Sequence, residues 1–163
     1  MKKENFTFKV FIILVISLFT SLNSFSTIYN GGYGDYNSIK WNLDTETGIL
    51  TISGTGDMPL SSAGSAPYYS HVNYIKSIIV ENGITSICNG AFYNCTNLLS
   101  VSLPNTITSI GENAFSNCNN ITTITLQDSL EYLGDWAFAY SKITQIFIPK
   151  NVKNIDGLAF RSC

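Results

Sequence analysis

A block of about 23 residues recurs along the back of this chain, and that period constrains the fold more than any other feature. Blocks begin at Ile84, Ile107, Leu130 and Val152, spaced 23, 23 and 22 residues. Aligned on these starts, apolar residues form columns: Ile75, Leu98, Ile121 and Ile143, then Ile78, Val101, Ile124 and Ile146, then Val80, Leu103, Leu126 and Ile148. A second set follows with Ile87, Ile110, Leu133 and Ile155, and with the pairs Ala91-Phe92, Ala114-Phe115, Ala137-Phe138 and Ala159-Phe160. One such block is too short to enclose a core, so its apolar side chains leave water only by stacking on the same residues of neighbouring turns. Identical chemistry at identical positions is therefore the mark of a solenoid.

Val101 and Leu103, like Ile124 and Leu126, sit at i and i+2, which sends both to one face of an extended segment. Each turn is thus expected to give one short parallel strand. The Ala-Phe pair follows a polar stretch such as Gly111-Glu112-Asn113, where a short helical or 3₁₀ turn would set Ala against backbone and Phe across the core. Leu98 to Cys118, with Pro104, Ile110-Gly111, Ala114-Phe115 and Cys118, resembles the BspA-like leucine-rich repeat. The usual turn of that family reads Leu-x-x-Leu-x-Leu-Pro-x-x-Leu-x-x-Ile-Gly-x-x-Ala-Phe-x-x-Cys. Departures are Cys88 and Asp156 at the position of Gly111 and Gly134, Glu81 at that of Pro104 and Pro149, and Ser141 in the cysteine column. The resemblance implies a leucine-rich repeat solenoid, a right-handed coil of short parallel strands, over residues 75–163. It implies a secreted or cell-surface module that binds or adheres to proteins of a host, a matrix or another cell.

Residues 1–26 read as a signal peptide on physical grounds. Lys2, Lys3 and Lys9 precede a ten-residue apolar run, Val10 to Phe19, and Ser24 and Ser26 place small residues three and one before a cut. The run is shorter than the roughly 20 residues a membrane-spanning helix needs, so no spanning segment is expected once the signal is removed. Removal takes three lysines and Glu4 and leaves six basic and ten acidic side chains, near minus four. Nucleic acid is a poor partner for such a chain, because phosphate contacts need clustered Lys and Arg and the one arginine is Arg161.

Residues 27–74 are expected to cap the first turn. Trp41-Asn42-Leu43 and Leu50-Thr51-Ile52 alternate apolar and polar, and Asp44 to Gly48 between them is turn chemistry, which together predict a β-hairpin. At the other end, Cys163 follows about three and a half turns and the next strand is missing, so the chain reads as a truncated piece of a longer protein. The last turn would present Ile143, Ile146, Ile148, Val152, Ile155 and Phe160 to a neighbour, an arrangement expected to self-associate.

Catalysis and metal binding find little support. There is no Cys-x-x-Cys pair, and the single histidine, His71, lies far in sequence from every cysteine. Cys95, Cys118 and Cys163 recur three residues after column phenylalanines, where small apolar packing explains them better than disulfides between neighbouring turns. Glu112, Glu131, Asp135 and Asp156 fall at loop positions whose ordinary role is solvation. No enzyme, no cofactor and no metal site are expected. The residues alternating away from the core are Ser77 and Ile79, Ser100 and Ser102, Thr123 and Thr125, and Gln145 and Phe147. This face is uncharged and hydroxyl-rich, with Ile79 and Phe147 as apolar exceptions fit to anchor a partner. A binding module is the first reading, and a spacer that holds a further C-terminal region away from a surface is the alternative. A hydrolase would need a polar cleft that no residue pattern locates.

Overall fold

The computed structural model describes residues 26–33, 38–59 and 61–163. The expected signal peptide, Ser26 apart, lies outside them.

The chain begins with an antiparallel meander of β1 (Ile28–Tyr33), β2 (Ile39–Asp44) and β3 (Ile49–Gly54). The expected hairpin is therefore two strands of three. Trp41, Leu43, Leu50 and Ile52 point inward and are buried. The β2–β3 turn is closed by Asp44, whose Oδ1 accepts the N–H of Glu46 at 2.9 Å, while the Gly48 N–H reaches the Asp44 carbonyl at 2.8 Å. Gly48 holds φ +75°, and a Cβ there would lie 2.7 Å from the Tyr74 carbonyl oxygen. That closeness has a purpose, because the Gly48 carbonyl accepts the N–H groups of Lys76 and Ser77 and leads the chain into the first repeat.

After the two-residue β4 (Gly56–Asp57) and a 3₁₀ helix over Tyr69–Tyr74, β5 (Ser77–Val80) pairs parallel with β3, and β7 (Ser100–Ser102) pairs parallel with β5. Meander and repeats thus share one sheet, in the order β1-β2-β3-β5-β7. A second, all-parallel ladder unites β4 with β6 (Ile84–Ile87), β8 (Ser109–Ile110), β9 (Tyr132–Leu133) and β10 (Asn154–Ile155).

Two expectations change here. One strand per turn was expected, yet residues 121–127 and 141–149 carry no strand, whereas every turn contributes a strand to the second ladder. Where the first ladder lapses, side chains bridge the turns: Asn120 Nδ2 donates to the Thr96 carbonyl at 2.8 Å and Gln127 Nε2 to the Leu103 carbonyl at 3.0 Å. Secondly, the Ala-Phe segments are runs of turns rather than helices. Ala91, Tyr93 and Cys95 donate to carbonyls three residues back, while the intervening Gly90, Phe92 and Asn94 donate to Glu112, Ala114 and Ser116 of the next turn. Left-handed residues, with φ 61° at Gly90 and Asn94, interrupt the right-handed dihedrals that a 3₁₀ helix requires and turn alternate N–H groups outward to the neighbour.

The core is a file of aromatic rings flanked by aliphatic columns. Tyr68, Phe92, Phe115 and Phe138 are fully buried, and successive ring centroids lie 5.9, 5.1 and 5.4 Å apart, with Phe160 a further 5.7 Å on. Tyr68 takes the phenylalanine's place one turn early, and Trp41 closes the file edge-on at 5.8 Å. None of the four cysteines is in a disulfide, with Cys88, Cys95 and Cys118 buried and Cys163 exposed. The thiol of Cys118 donates to the Phe92 carbonyl and that of Cys163 to the Phe138 carbonyl, each at 3.3 Å, so the column satisfies a carbonyl of the preceding turn. Burial raises the Cys95 thiol well above its ordinary value and pushes Cys118 up to about 12.

Candidate functional site

Strand pairing assembles the exposed face of the first sheet from residues far apart in sequence. Asn30 faces Asn42, Asn42 faces Thr51, Thr51 faces Ile79 and Ile79 faces Ser102, which makes one row across five strands. A parallel row runs Asp44, Ile49, Ser77, Ser100, and the Ser100 hydroxyl donates to Ser77 Oγ at 2.9 Å. The repeat period continues both rows through Thr123 and Thr125 to Gln145 and Phe147, all exposed. Phe147 leaves 78% of its surface in water and Ile79 38%. Leu99, 60% exposed, joins them at the start of β7. Sequence reasoning passed over it because the inward residues Leu98 and Val101 stand three apart, so strict alternation fails between them and assigns Leu99 to neither face.

The meander extends this face beyond the repeats. Asn30, Lys40, Asn42, Thr51 and Ser53 border a shallow cavity of about 490 Å³ over Gly31 and Gly32. A second hollow of about 440 Å³, lined by Glu81, Asn82, Ser102 and Pro104 among others, lies at the edge of β5 and β7. Among the paired strand residues of the face, charge falls at its meander end, at Lys40 and Asp44, and the exposed Lys76 stands just before β5, one turn from Leu99. The Asp44 carboxyl is held below its ordinary value by the Ser26 hydroxyl at 2.5 Å and by backbone N–H groups. His71 stacks on Tyr29 with ring centroids 3.9 Å apart. Among the described residues, no three His, Cys, Asp or Glu side chains stand close enough to hold a metal ion.

The other ladder is different in character. Its outward residues include Asp57, Glu131 and Lys153, and the Lys153–Glu131 ion pair at 2.8 Å is solvent-exposed on both sides, so it contributes little. Tyr132 donates to Asp156, and that carboxylate holds the phenol above its ordinary value.

Stacked turns with apolar columns, a phenylalanine file and a paired parallel strand face define a leucine-rich repeat protein. Residues 64–163 match, in six copies, the family described as BspA type leucine rich repeat region, and the chain belongs to that family. No curated protein matches it. Among solved structures, a leucine-rich repeat protein from Eubacterium ventriosum is similar at 28% identity and TM-score 0.63, covering 80% of this chain and 40% of that one. The leucine rich repeat protein of T. pallidum is 19% identical at TM-score 0.57, over 79% of this chain and 66% of that one. A leucine-rich repeat protein from Bacteroides ovatus is 22% identical at TM-score 0.53, over 75% and 37%. The latter two speak to the fold alone. The chain thus spans well under half the length of two of these three proteins. The family points to a protein-interaction module, and its fold is typically non-enzymatic.

Proposed function

We propose that this chain is an exported, right-handed leucine-rich repeat solenoid that binds protein on a cell surface or in the surrounding matrix, with no catalysis and no cofactor. The exposed strand face carries that reading, above all Phe147. A ring 78% in water on a face made largely of Ser, Thr, Asn and Gln gains most from a partner that removes it from solvent. Ile79 gives a second apolar contact, and Ser100, Ser102, Thr123, Thr125 and Gln145 supply hydrogen bonds between the two. The near absence of charge on this face, against the acidic chain as a whole, disfavours nucleic acid and favours a neutral protein surface. Residues 1–26 serve export, and the mature chain starts at Thr27 or close to it. No helix among the described residues is long and apolar enough to cross a membrane.

The test compares the exported protein with its Phe147→Ser and Ile79→Ser variants on immobilised matrix proteins and on whole cells. Loss of at least tenfold in binding with unchanged melting temperature supports the face. Binding that survives both changes removes it. Should no matrix protein or cell retain even the unaltered chain, the spacer reading gains, in which the repeats hold another region away from the surface.

A further inference from the structure

One cluster lies outside the strand face and is unexplained by packing. The turn runs after β6, β8 and β9 each hold two left-handed positions, Gly90, Asn113 and Trp136 at φ 61°, 56° and 57°, and Asn94, Asn117 and Tyr140 at φ 61°, 61° and 59°, while the run after β10 keeps the second, Ser162 at φ 56°. Glycine and asparagine adopt this conformation most readily, and the first two turns use them. The third turn places a tryptophan and a tyrosine there instead. Bulky side chains at positive φ are outliers that persist where the surrounding structure imposes them, and they concentrate at functional positions. The two rings do not rejoin the core. Trp136 is half-buried, Tyr140 is 40% exposed, and they contact each other at 5.9 Å between centroids. Arg161, the sole arginine of the chain, reaches back from the following turn and lays its guanidinium 5.0 Å from the Trp136 centroid. Stacking occupies the flat face of a guanidinium and leaves its edge N–H groups free. Among the described residues, no carboxylate is in ion-pair contact with Arg161.

We propose that Trp136, Tyr140 and Arg161 form a second recognition site, distinct from the strand face, for a protein segment that places a carboxylate beside an apolar side chain. The carboxylate takes the guanidinium edge in the bidentate geometry that arginine offers. Ring preorganisation on Trp136 removes most of the ordering that a free arginine would undergo on binding. The adjacent apolar side chain packs on the exposed Tyr140 ring. Trp, Tyr and Arg are the residues that most often dominate protein interfaces, and here all three meet at one point, with Leu158 37% exposed at the Trp136 position of the next turn. Left-handed backbone is the device that projects both rings outward.

The experiment uses the whole exported chain and short peptides of Gly and Ser that carry a central Glu-Phe pair, with Gln-Phe and Glu-Ser counterparts and a sialylated trisaccharide as separate arms. Tryptophan emission is the readout, since Trp41 is buried and Trp136 is not. The Glu-Phe peptide is expected to saturate the signal and to bind at least tenfold more tightly than either counterpart. Arg161→Lys should weaken it at least tenfold. Tyr140→Asn, which restores the residue type of the earlier turns, should weaken it at least fivefold without lowering the melting temperature, and Phe147→Ser should leave it unchanged. The proposal is overturned by equal binding of the Glu-Phe and Gln-Phe peptides, by saturable binding of the sugar with none of the peptide, or by indifference to Arg161→Lys. A lower melting temperature for Tyr140→Asn would show that the ring serves the fold and would equally overturn it.

Discussion

At the scale of single residues, the aromatic file and the thiol column make opposite demands on the chain. Phe115 touches a ring on either side and is fully buried, so Phe115→Ala should cost about 3 to 5 kcal/mol, whereas Phe147→Ala should leave stability nearly unchanged. Chemical denaturation of the two variants checks this, and equal losses would contradict the inward and outward assignment. For the thiols the sign follows from burial. Folding raises the pKa of Cys95 and Cys118 above the ordinary 9.0, so the unfolded chain releases these protons first. Their contribution to stability is intact below about pH 9 and is lost as pH rises from there through about 12. A Cys118→Ala variant should show a shallower alkaline loss, measured by denaturant midpoints across that range. Both roles were legible in part: the columns gave the burial, but the thiol-to-carbonyl hydrogen bonds have no trace in residue identity.

Elements join through glycine and backbone rather than through side-chain pairing. The Gly48 carbonyl receives two N–H groups from the strand that opens the repeats, and its own φ is one that alanine resists. Gly48→Ala should therefore destabilise by more than about 1 kcal/mol. Amide hydrogen exchange should rise first at the paired stretches Ile49–Ile52 and Ser77–Val80, and unchanged protection there would show that the junction does not depend on this turn. The second ladder was not legible as strand because its apolar residues, Ile84 and Ile87, stand three apart, a spacing that fits neither strict alternation nor a helix of useful length. Its strands are short, two to four residues, and owe their pairing to stacking of whole turns.

Across the molecule, β10 is the edge of the second ladder, and Ile155 and Leu158 are 46% and 37% exposed beside it. An unpaired edge with apolar neighbours is a template for another strand. Residues 27–163 expressed alone are therefore expected to self-associate with rising concentration, and Ile155→Lys to restore the monomer, with light scattering as the measure. A monodisperse unaltered chain at high concentration would refute that expectation.

What the sequence determined by itself was the repeat, its period, the inward columns and the face opposite them, because burial acts on side-chain identity and repeats it wherever turns stack. The direction of Ile79 and Phe147 followed from the same alternation. Only the tertiary structure decided that the meander and the repeats share one sheet, so that Asn30, Asn42 and Thr51 extend the row of Ile79 and Ser102. It also decided that Arg161 would lie over Trp136, 25 residues earlier in the chain. Backbone hydrogen bonds and left-handed dihedrals are the physical reason, since every residue but proline carries the same N–H and C=O groups. Which turn they bind is settled when turns meet in space, not by the letters that carry them.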